Sequence, residues 1–339
     1  MRAVLVHGPG DLRVEERPDP TPGDGEVLVA MEWGGICGSD LSYWKHGRSG
    51  TAQLRDPMVL GHEVAGTVVG LGPQVDGVDL GHKVTFHPAT PEGDTALPER
   101  LAGRTNLHER VRYFGSAAFY PHTDGGFSQL KTVRADQVRT LPEGVTTFEG
   151  AIVEPLAVAM HAVSRAGVVA GRDVLVNGCG PIGLLAIAAA RHAGARFVVA
   201  ADLSPAARLI AKAMGADGVY DPSVGPLPRD VEVVIEASGV PGALQGVLHA
   251  AARGGVVVQV GNLPGVGAQS VLGDLVTREL TWIGSYRFVD EVDDAIQAIR
   301  RGLNVRPLVG GVFDIDDAEA AMRAAADPTR GGKVMLRLS

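Results

Sequence analysis

The chain begins with short runs in which apolar and polar residues alternate, and Gly, Pro and Asp interrupt these runs as far as about Arg139. The runs are RAVLVH, GEVLVAMEW, EVAGTVVG, HKVTFH and FSQLKTV. Alternation at this spacing is typical of antiparallel strands in a barrel or a sandwich. The polar stretch between Pro88 and Arg112 has little periodicity, so we expect it to form a lobe or a long loop.

The pattern changes at about Val153, where helical segments begin to alternate with apolar runs. The apolar runs include VLVNG, FVVAAD, VEVVIEASG, GGVVVQVG and LTWIGSY. Several of them are continuously apolar, as expected of parallel strands whose two faces are both covered by helices. We therefore predict a doubly wound, largely parallel sheet of the α/β class. Two helical segments and a last strand, KVMLRL, follow Tyr286.

Charge and hydropathy argue against two classes of partner. The formal net charge is -8 and the basic residues form no block, so a surface that follows a nucleic-acid backbone is not expected. The longest apolar run, 181–190, is too short to cross a bilayer. Asp11, Glu15 and Glu16 stand where a secretory signal would stay apolar, so we expect a cytoplasmic protein.

A glycine-rich turn after the strand VLVN predicts a dinucleotide site. The turn and the start of the next helix are formed by Gly178, Gly180, Pro181, Ile182 and Gly183. In this pattern the glycines allow a tight turn, a close approach of a pyrophosphate, and close packing of helix on strand. Asp202 ends the next strand, where a carboxylate accepts hydrogen bonds from ribose hydroxyls and favours NAD over NADP. The alternative interpretation of Asp202 is a cap of the following helix. Arg208, within that helix, is interpreted as a solvated charge and not as a phosphate ligand.

A second group of residues carries metal-binding chemistry. Cys37, His62 and Glu154 together offer a thiolate, an imidazole and a carboxylate, which suit zinc better than calcium or magnesium. Three protein ligands would leave one position for water or substrate, as in catalytic zinc sites. Each residue also has an ordinary interpretation, as a buried cysteine, a structural histidine and a charge at a helix N-terminus.

Four segments resemble a known family. GGICGSDLSYW, VLGHEVAGTVVGLG, EPLAVAMHA and GCGPIG occur in this order and resemble zinc-dependent medium-chain alcohol dehydrogenases over essentially the whole chain. The resemblance is closest to the polyol branch that contains sorbitol dehydrogenase. Within that branch, Val111–Phe127 most resembles the L-idonate 5-dehydrogenases.

The resemblance implies a domain organisation and a set of cofactors. A GroES-like β-barrel catalytic domain is expected to comprise residues 1–152 and 288–339, and a Rossmann domain, residues 153–287, to be inserted between them. One catalytic zinc per chain and NAD are the implied cofactors. Homo-oligomers are also implied, with a tetramer favoured over a dimer.

The same resemblance assigns metal ligands. Cys37 and His62 match zinc ligands, and Glu63 matches a carboxylate that binds the metal directly or lies just behind it. Glu154 matches a residue that binds zinc directly or through water. Asp40 is expected to accept the remaining N–H of His62 and so to fix its tautomer.

The residues implied to contact substrate are Ser39, Tyr43 and Arg287. The hydroxyl of Ser39 would take the proton of the alcohol, alone or with a water near Glu154, and Tyr43 would hydrogen-bond a polyol hydroxyl. If the substrate carries a carboxylate, Arg287 is the first candidate to pair with it, followed by Arg112, His122 and Lys45. The alternative interpretation of each is a solvated surface charge.

The chain also departs from its family at two places. The stretch after His87-Pro88 lacks the four cysteines of relatives that bind a structural zinc, so no structural zinc is expected. The lobe must then be held by packing or by a partner subunit, or be mobile. Ser42 replaces a histidine that many relatives use at the outer end of the proton relay. His46 and water reaching the ribose are the two possible substitutes, and water is favoured.

The predicted reaction is hydride transfer between NAD and a secondary alcohol of a sugar acid, of the L-idonate type, oxidised at C5 to 5-keto-gluconate. A sorbitol- or xylitol-type polyol dehydrogenase is the nearest alternative. A zinc-free reductase on the same architecture and a non-catalytic NAD-binding regulator or scaffold remain as further alternatives, and neither would need the metal-binding residues.

Overall fold

The computed structural model of the chain describes residues 1–263 and 271–339. The chain divides into two compact units. The first unit comprises residues 1–154, 311–327 and 334–339, and the second comprises residues 155–310 and 328–333. The boundary expected after residue 287 therefore differs from the observed one, because 288–310 pack with the second unit. One such contact joins the buried His161 to Glu291, with Nδ1 and Oε1 2.7 Å apart.

Short strands dominate the first half of the chain. They are β1 (Arg2–Gly8), β2 (Asp11–Glu16), β3 (Glu26–Gly35), β4 (Arg48–Ser49), β5 (Ala52–Gln53), β6 (Met58–Val59), β7 (Glu63–Leu71), β8 (Lys83–Phe86), β9 (Ala89–Pro91), β10 (Val111–Tyr113), β11 (Leu130–Arg134) and β12 (Val138–Thr140). The remaining strands are β13 (Asp173–Asn177), β14 (Phe197–Ala201), β15 (Gly218–Tyr220), β16 (Val231–Glu236), β17 (Ala251–Gln259), β18 (Thr281–Gly284), β19 (Val309–Asp314) and β20 (Lys333–Arg337).

Most of the α-helices lie in the second half of the chain. They are α1 (Gly38–His46), α2 (Thr147–Gly150), α3 (Val153–Arg165), α4 (Pro181–His192), α5 (Pro205–Ala213), α6 (Leu244–Ala250), α7 (Gly273–Thr277), α8 (Glu291–Arg300) and α9 (Ala318–Ala325). Among the described residues, none of these helices is long and apolar enough to cross a membrane.

The main antiparallel sheet combines strands from the first part of the chain with two strands near its end. Its strand order is β12-β8-β7-β3-β20-β19, with β11 also paired to β3. The strands follow the predicted antiparallel pattern, but within 1–263 and 271–339 they do not close into a barrel. On one side of β3 the sheet continues through β7 and β8 and ends at β12. On the other side β3 pairs with β11 over 26–30 and with β20 over 33–35, and the sheet continues from β20 to its other end, β19. A smaller sheet has the order β2-β1-β6.

The second unit contains a six-stranded parallel sheet in the order β15-β14-β13-β16-β17-β18. With β13 counted as the first strand, this is the 3-2-1-4-5-6 order of dinucleotide-binding sheets. Its central strands are fully buried, as shown by Val174, Val233 and Val257, each 0% exposed. The continuously apolar runs of the sequence are thus explained by helices that cover both faces.

The lobe after His87-Pro88 is a small structure of its own. Strands β9 and β10 pair antiparallel, and Glu92 accepts hydrogen bonds from Arg110 and Arg112, each at 2.9 Å. The Arg110 guanidinium also lies 4.6 Å from the centroid of the Phe119 ring. Of the three arrangements expected for a lobe without cysteines, these contacts support packing.

Candidate metal and dinucleotide sites

The pairing of β3 with β7 brings the predicted metal ligands together. Gly35 ends β3 and lies opposite Glu63, the first residue of β7. Cys37 follows Gly35 by two positions and caps the N-terminus of α1, so its side chain lies next to His62 and Glu63. Gly61 has φ +95°, and a Cβ there would lie 2.2 Å from the ring of Phe127. Glycine is therefore required immediately before the ligand pair.

Cys37, His62 and Glu63 form a donor set that fits zinc. Their sulfur, nitrogen and oxygen ligand atoms all lie within 4.8 Å of one another. Zinc binds such atoms at about 2.0–2.3 Å, so one ion can contact all three after small side-chain adjustments. Glu63 is 1% and His62 8% exposed, so a bound ion would have little competition from bulk water. The sequence leaves open whether Glu63 or Glu154 completes the set, and the geometry favours Glu63.

Asp40 supports this group from behind, through the backbone. It is fully buried, and its carboxylate accepts hydrogen bonds from the N–H groups of Cys37, at 2.9 Å, and Gly61, at 3.2 Å. These two bonds tie Asp40 to the backbone of Cys37 and of the residue before His62, and the expected bond to the His62 ring stays a prediction. Burial raises the pKa of Asp40, although His62 and the two N–H groups oppose this shift.

The electrostatics of His62 are set by its acidic neighbours. Burial disfavours the imidazolium, yet the pKa of His62 lies well above its usual value because Cys37, Glu154 and Asp40 together outweigh burial. The strongest of these favourable interactions is with Cys37, both as a nearby charge and through a hydrogen bond. Metal binding requires the thiolate and the neutral imidazole, so it must release protons from this pair.

Tyr113 is a site residue that sequence reasoning missed. Its hydroxyl donates to Oε1 of Glu154 at 2.6 Å, and both residues are buried, at 6% and 5% exposed. Its ring also meets the His62 ring edge to face, with centroids 5.6 Å apart. Tyr113 lies in the segment Val111–Phe127 that carried part of the family resemblance, but nothing in the sequence indicated its contact with Glu154.

The other predicted residues of the first unit differ in their surroundings. Ser39 is half-buried in the first turn of α1, two residues after Cys37. Tyr43 is 2% exposed and its oxygen accepts the N–H of Ala117 at 3.0 Å, which leaves its own proton to donate. The hydroxyl of Ser42 donates to the carbonyl of Arg48 at 2.6 Å, so this group is already engaged within the loop.

The glycine-rich turn has the geometry that a dinucleotide site needs. Gly178 has φ +94°, and a Cβ at this position would lie 2.6 Å from the backbone N of Ser238. Gly180 caps α4 and has no atom within 4 Å of a Cβ position, so a ligand can approach its backbone. At Gly183 a Cβ would lie 1.8 Å from the carbonyl of Gly178, which explains why only glycine lets the helix pack there. Pro181 and Ile182 open the helix, whose free N–H groups suit a phosphate.

Asp202 links this turn to the next helix. Its Oδ2 accepts the N–H of Cys179 at 2.7 Å, and its Oδ1 accepts the N–H of Ser204 at 2.7 Å. The N-cap of α5 is Ser204, whose hydroxyl accepts the N–H of Ala207. Asp202 is therefore not simply a helix cap, and its carboxylate lies beside the glycine-rich turn. Burial raises the pKa of the Cys179 thiol to about 12, so this cysteine is a small turn residue and not a nucleophile.

Arg287 follows the carboxyl end of β18. It is half-buried with φ +52°, and its guanidinium lies 4.9 Å from the centroid of the neighbouring Tyr286 ring. The carboxyl ends of parallel strands form the edge at which ligands bind in sheets of this type. Arg287 therefore lies at the same sheet edge as Gly178 and Asp202.

Comparison with known proteins agrees with this arrangement. Residues 23–143 match the alcohol dehydrogenase GroES-like domain, and residues 181–301 match the zinc-binding dehydrogenase family. Sorbitol dehydrogenase of Bos taurus is 38% identical, with 99% of this chain and 95% of that protein covered. L-idonate 5-dehydrogenase (NAD(P)(+)) of Escherichia coli K12 is 35% identical, with 99% and 98% covered.

Two solved structures are similar over nearly their whole length. The L-idonate 5-dehydrogenase of Escherichia coli has a TM-score of 0.92 at 34% identity and covers 99% of this chain and 97% of its own. A zinc-binding dehydrogenase of Sinorhizobium meliloti bound to NADP has a TM-score of 0.89 at 31% identity, with 99% and 98% covered.

A parallel dinucleotide-binding sheet combined with a thiolate, imidazole and carboxylate donor set defines a metal-dependent dehydrogenase. The chain belongs to the zinc-binding alcohol dehydrogenase family, in the branch that resembles sorbitol dehydrogenase. Zinc and a nicotinamide dinucleotide are the cofactors of this class, and the ligand group and the glycine-rich turn described above fit them.

Proposed function

We propose that the protein is a zinc-dependent, NAD-linked dehydrogenase that oxidises a secondary alcohol of a sugar acid, of the L-idonate type, at C5. The observation that carries the dehydrogenase assignment is the buried group Cys37, His62 and Glu63, with their donor atoms within 4.8 Å. A regulator or scaffold would have no use for such a group. The choice of an aldonate is supported by the similarity to L-idonate 5-dehydrogenase in sequence and structure.

Cys37, His62 and Glu63 would hold the metal. The nearby Glu154 accepts a hydrogen bond from the hydroxyl of Tyr113. Zinc in such a site supplies Lewis acidity, which lowers the pKa of an alcohol. Asp40 holds the backbone on both sides of the ligands, so the group is preorganised before substrate arrives.

The reaction removes a proton from the alcohol oxygen and a hydride from the carbinol carbon, giving a ketone and NADH. In the proposed roles Ser39 takes the proton of the alcohol and passes its own hydroxyl proton to water. Tyr43 donates its hydroxyl proton to a second substrate hydroxyl, and Arg287 pairs with the carboxylate. Gly178, Gly180 and Gly183 with Pro181 and Ile182 hold the pyrophosphate, and Asp202 accepts the ribose hydroxyls.

A sorbitol- or xylitol-type polyol dehydrogenase is the second candidate. It is favoured by the 38% identity to the sorbitol dehydrogenase of Bos taurus. The two candidates share the same metal and hydride chemistry and differ in whether the substrate carries a carboxylate.

The test is NADH formation by the zinc-loaded protein with L-idonate, D-gluconate, sorbitol, xylitol and simple secondary alcohols. Turnover confined to the aldonates supports the proposal, whereas turnover confined to uncharged polyols would establish the second candidate. Arg287→Ala and Arg287→Lys then separate charge from shape. A charge-assisted hydrogen bond predicts a loss of about 10- to 100-fold in kcat/KM for the aldonate in the alanine variant, a smaller loss in the lysine variant, and little change for xylitol.

The proposal extends to domains, assembly and location. We propose a catalytic domain formed by residues 1–152 and 288–339 and a nucleotide domain formed by residues 153–287. Residues 288–310 belong to the second compact unit, which would shift this boundary toward residue 310. We propose a homo-oligomer, a tetramer rather than a dimer, as the family resemblance implies. The edge position of β18 in its sheet supports pairing with a second subunit, whatever the number of subunits. A cytoplasmic location is supported by the two free cysteines.

A further inference from the structure

The pair formed by Arg208 and Asp221 lies beside the residue that selects the dinucleotide. The sequence predicts a solvated charge at Arg208, but its side chain is only 17% exposed. Its Nη1 donates to the carbonyl oxygens of Asp202, at 2.6 Å, and Leu203, at 3.0 Å. The guanidinium is thus held at the carboxyl end of β14, where the adenosine ribose of a dinucleotide is expected.

Asp221 completes this arrangement from the neighbouring strand. It follows β15 directly, and the carbonyl of Tyr220 accepts the N–H of Asp202 at 3.2 Å, so the two strand ends lie side by side. Its Oδ2 lies 3.0 Å from Nη1 of Arg208. Its other oxygen accepts from both the N–H, at 3.0 Å, and the hydroxyl, at 2.5 Å, of Ser223. These bonds hold the carboxylate in place against the arginine.

The charges at the carboxyl ends of β14 and β15 determine whether a ribose with or without a 2′-phosphate is accepted there. A cation here is the group that other dinucleotide sheets use to accommodate a 2′-phosphate, whereas a carboxylate disfavours that phosphate. In this chain Arg208 forms an ion pair with the carboxylate of Asp221. The carboxylate of Asp202 lies at the same strand end, where it accepts the N–H groups of Cys179 and Ser204. The local formal charge is therefore -1, and the arginine that could bind the phosphate is engaged elsewhere.

We propose that Asp221 is a second determinant of cofactor choice, which excludes NADP by holding and neutralising Arg208. This inference rests on the proposed NAD-linked function and names the residue that makes the site selective. Without the negative charge of Asp221, Arg208 becomes available to a 2′-phosphate while Asp202 still accepts the ribose hydroxyls of NAD.

The experiment measures binding of NAD and NADP to the purified full-length protein by titration calorimetry, so no alcohol substrate is needed. Asp221→Asn removes the charge but keeps an oxygen that can accept from Ser223. It is expected to tighten NADP binding by about tenfold or more and to change NAD binding by less than about threefold, because only NADP carries the phosphate that can form a new charge-assisted hydrogen bond. In the double variant Arg208→Ala/Asp221→Asn the tighter binding of NADP is expected to disappear.

A matched control is Asp173→Asn. Asp173 is the first residue of β13, so it lies at the amino ends of the strands, away from the carboxyl ends where Arg208 and Asp221 lie. It also pairs with an arginine, Arg196, at 2.8 Å. Its loss changes the net charge equally, so the ratio of NADP to NAD affinity should stay at the wild-type value.

Three outcomes would overturn the inference. The affinity ratio in Asp221→Asn could stay within twofold of wild type, the tighter NADP binding could persist without Arg208, or Asp173→Asn could produce the same effect. In each case wild-type binding of NAD would leave the proposed function standing. A wild-type protein that binds neither dinucleotide would overturn the proposed function and this inference together.

Discussion

Replacing Tyr113 by phenylalanine tests the hydrogen bond that positions Glu154. The substitution removes one hydroxyl and keeps the ring that packs against His62 at a centroid distance of 5.6 Å. The lost bond is short, at 2.6 Å, and joins two groups that are both less than a tenth exposed. Water therefore cannot readily replace the hydroxyl as a donor to the carboxylate.

The magnitude follows from the charge and burial of the acceptor. A hydrogen bond to a charged group contributes about 1.5–3 kcal/mol. If the bond positions Glu154 for the reaction, kcat/KM should fall by about 10- to 100-fold, since about 1.4 kcal/mol corresponds to one factor of ten. The zinc content should stay at one per chain, because the Cys37, His62 and Glu63 ligand group remains complete.

Two measurements check this expectation. Steady-state kinetics with the best substrate of the panel gives kcat/KM, and the visible spectrum of the cobalt-substituted protein reports whether Glu154 has moved toward the metal. Tyr120→Phe is the control. The Tyr120 hydroxyl also hydrogen-bonds a carboxylate, that of Asp56, but Tyr120 is 61% exposed, so water can replace its hydroxyl. The control should leave activity and spectrum unchanged. Wild-type kinetics and an unchanged cobalt spectrum in Tyr113→Phe would refute the positioning role of the hydroxyl.

Three further predictions concern titrating groups and the lobe. Burial raises the pKa of Cys179 to about 12, so alkylation at pH 8 after metal removal should modify Cys37 alone. The intact mass of the alkylated protein measures the number of labels, and two labels would contradict this expectation. Burial lowers the pKa of Lys131 from 10.5 to about 8, so between these pH values the folded protein binds fewer protons than the unfolded chain. The free energy of unfolding should therefore rise with pH in this window in wild type and not in Lys131→Met, and parallel pH profiles would argue against this expectation. Glu92→Gln weakens two ion pairs at the lobe surface, and exposed ion pairs contribute little to the overall free energy of unfolding. Trypsin should nevertheless cleave within 92–112 faster than in wild type, and equal rates would show that these pairs do not hold the lobe.

The sequence by itself determined the features that depend on local pattern and residue type. The glycine-rich turn at 178–183 could be recognised because its glycine spacing follows a strand and opens a helix, and the parallel sheet because its strands are apolar on both faces. Cys37, His62 and Glu154 indicated zinc-binding chemistry by their types, with ordinary interpretations still open, and the family resemblance made them a ligand set and added Glu63.

Only the tertiary structure decided how distant residues meet. Tyr113 and Glu154 are 41 positions apart, and their contact depends on how strand β10 is placed against the start of α3. Asp221 reaches Arg208 because β15 pairs beside β14, an order that the amino-acid pattern leaves open. Which strands form the two ends of the antiparallel sheet, β12 and β19, likewise depends on pairings between segments far apart in the chain. Alternation determines which face of a strand is buried, but it carries no information about which strand lies next to it.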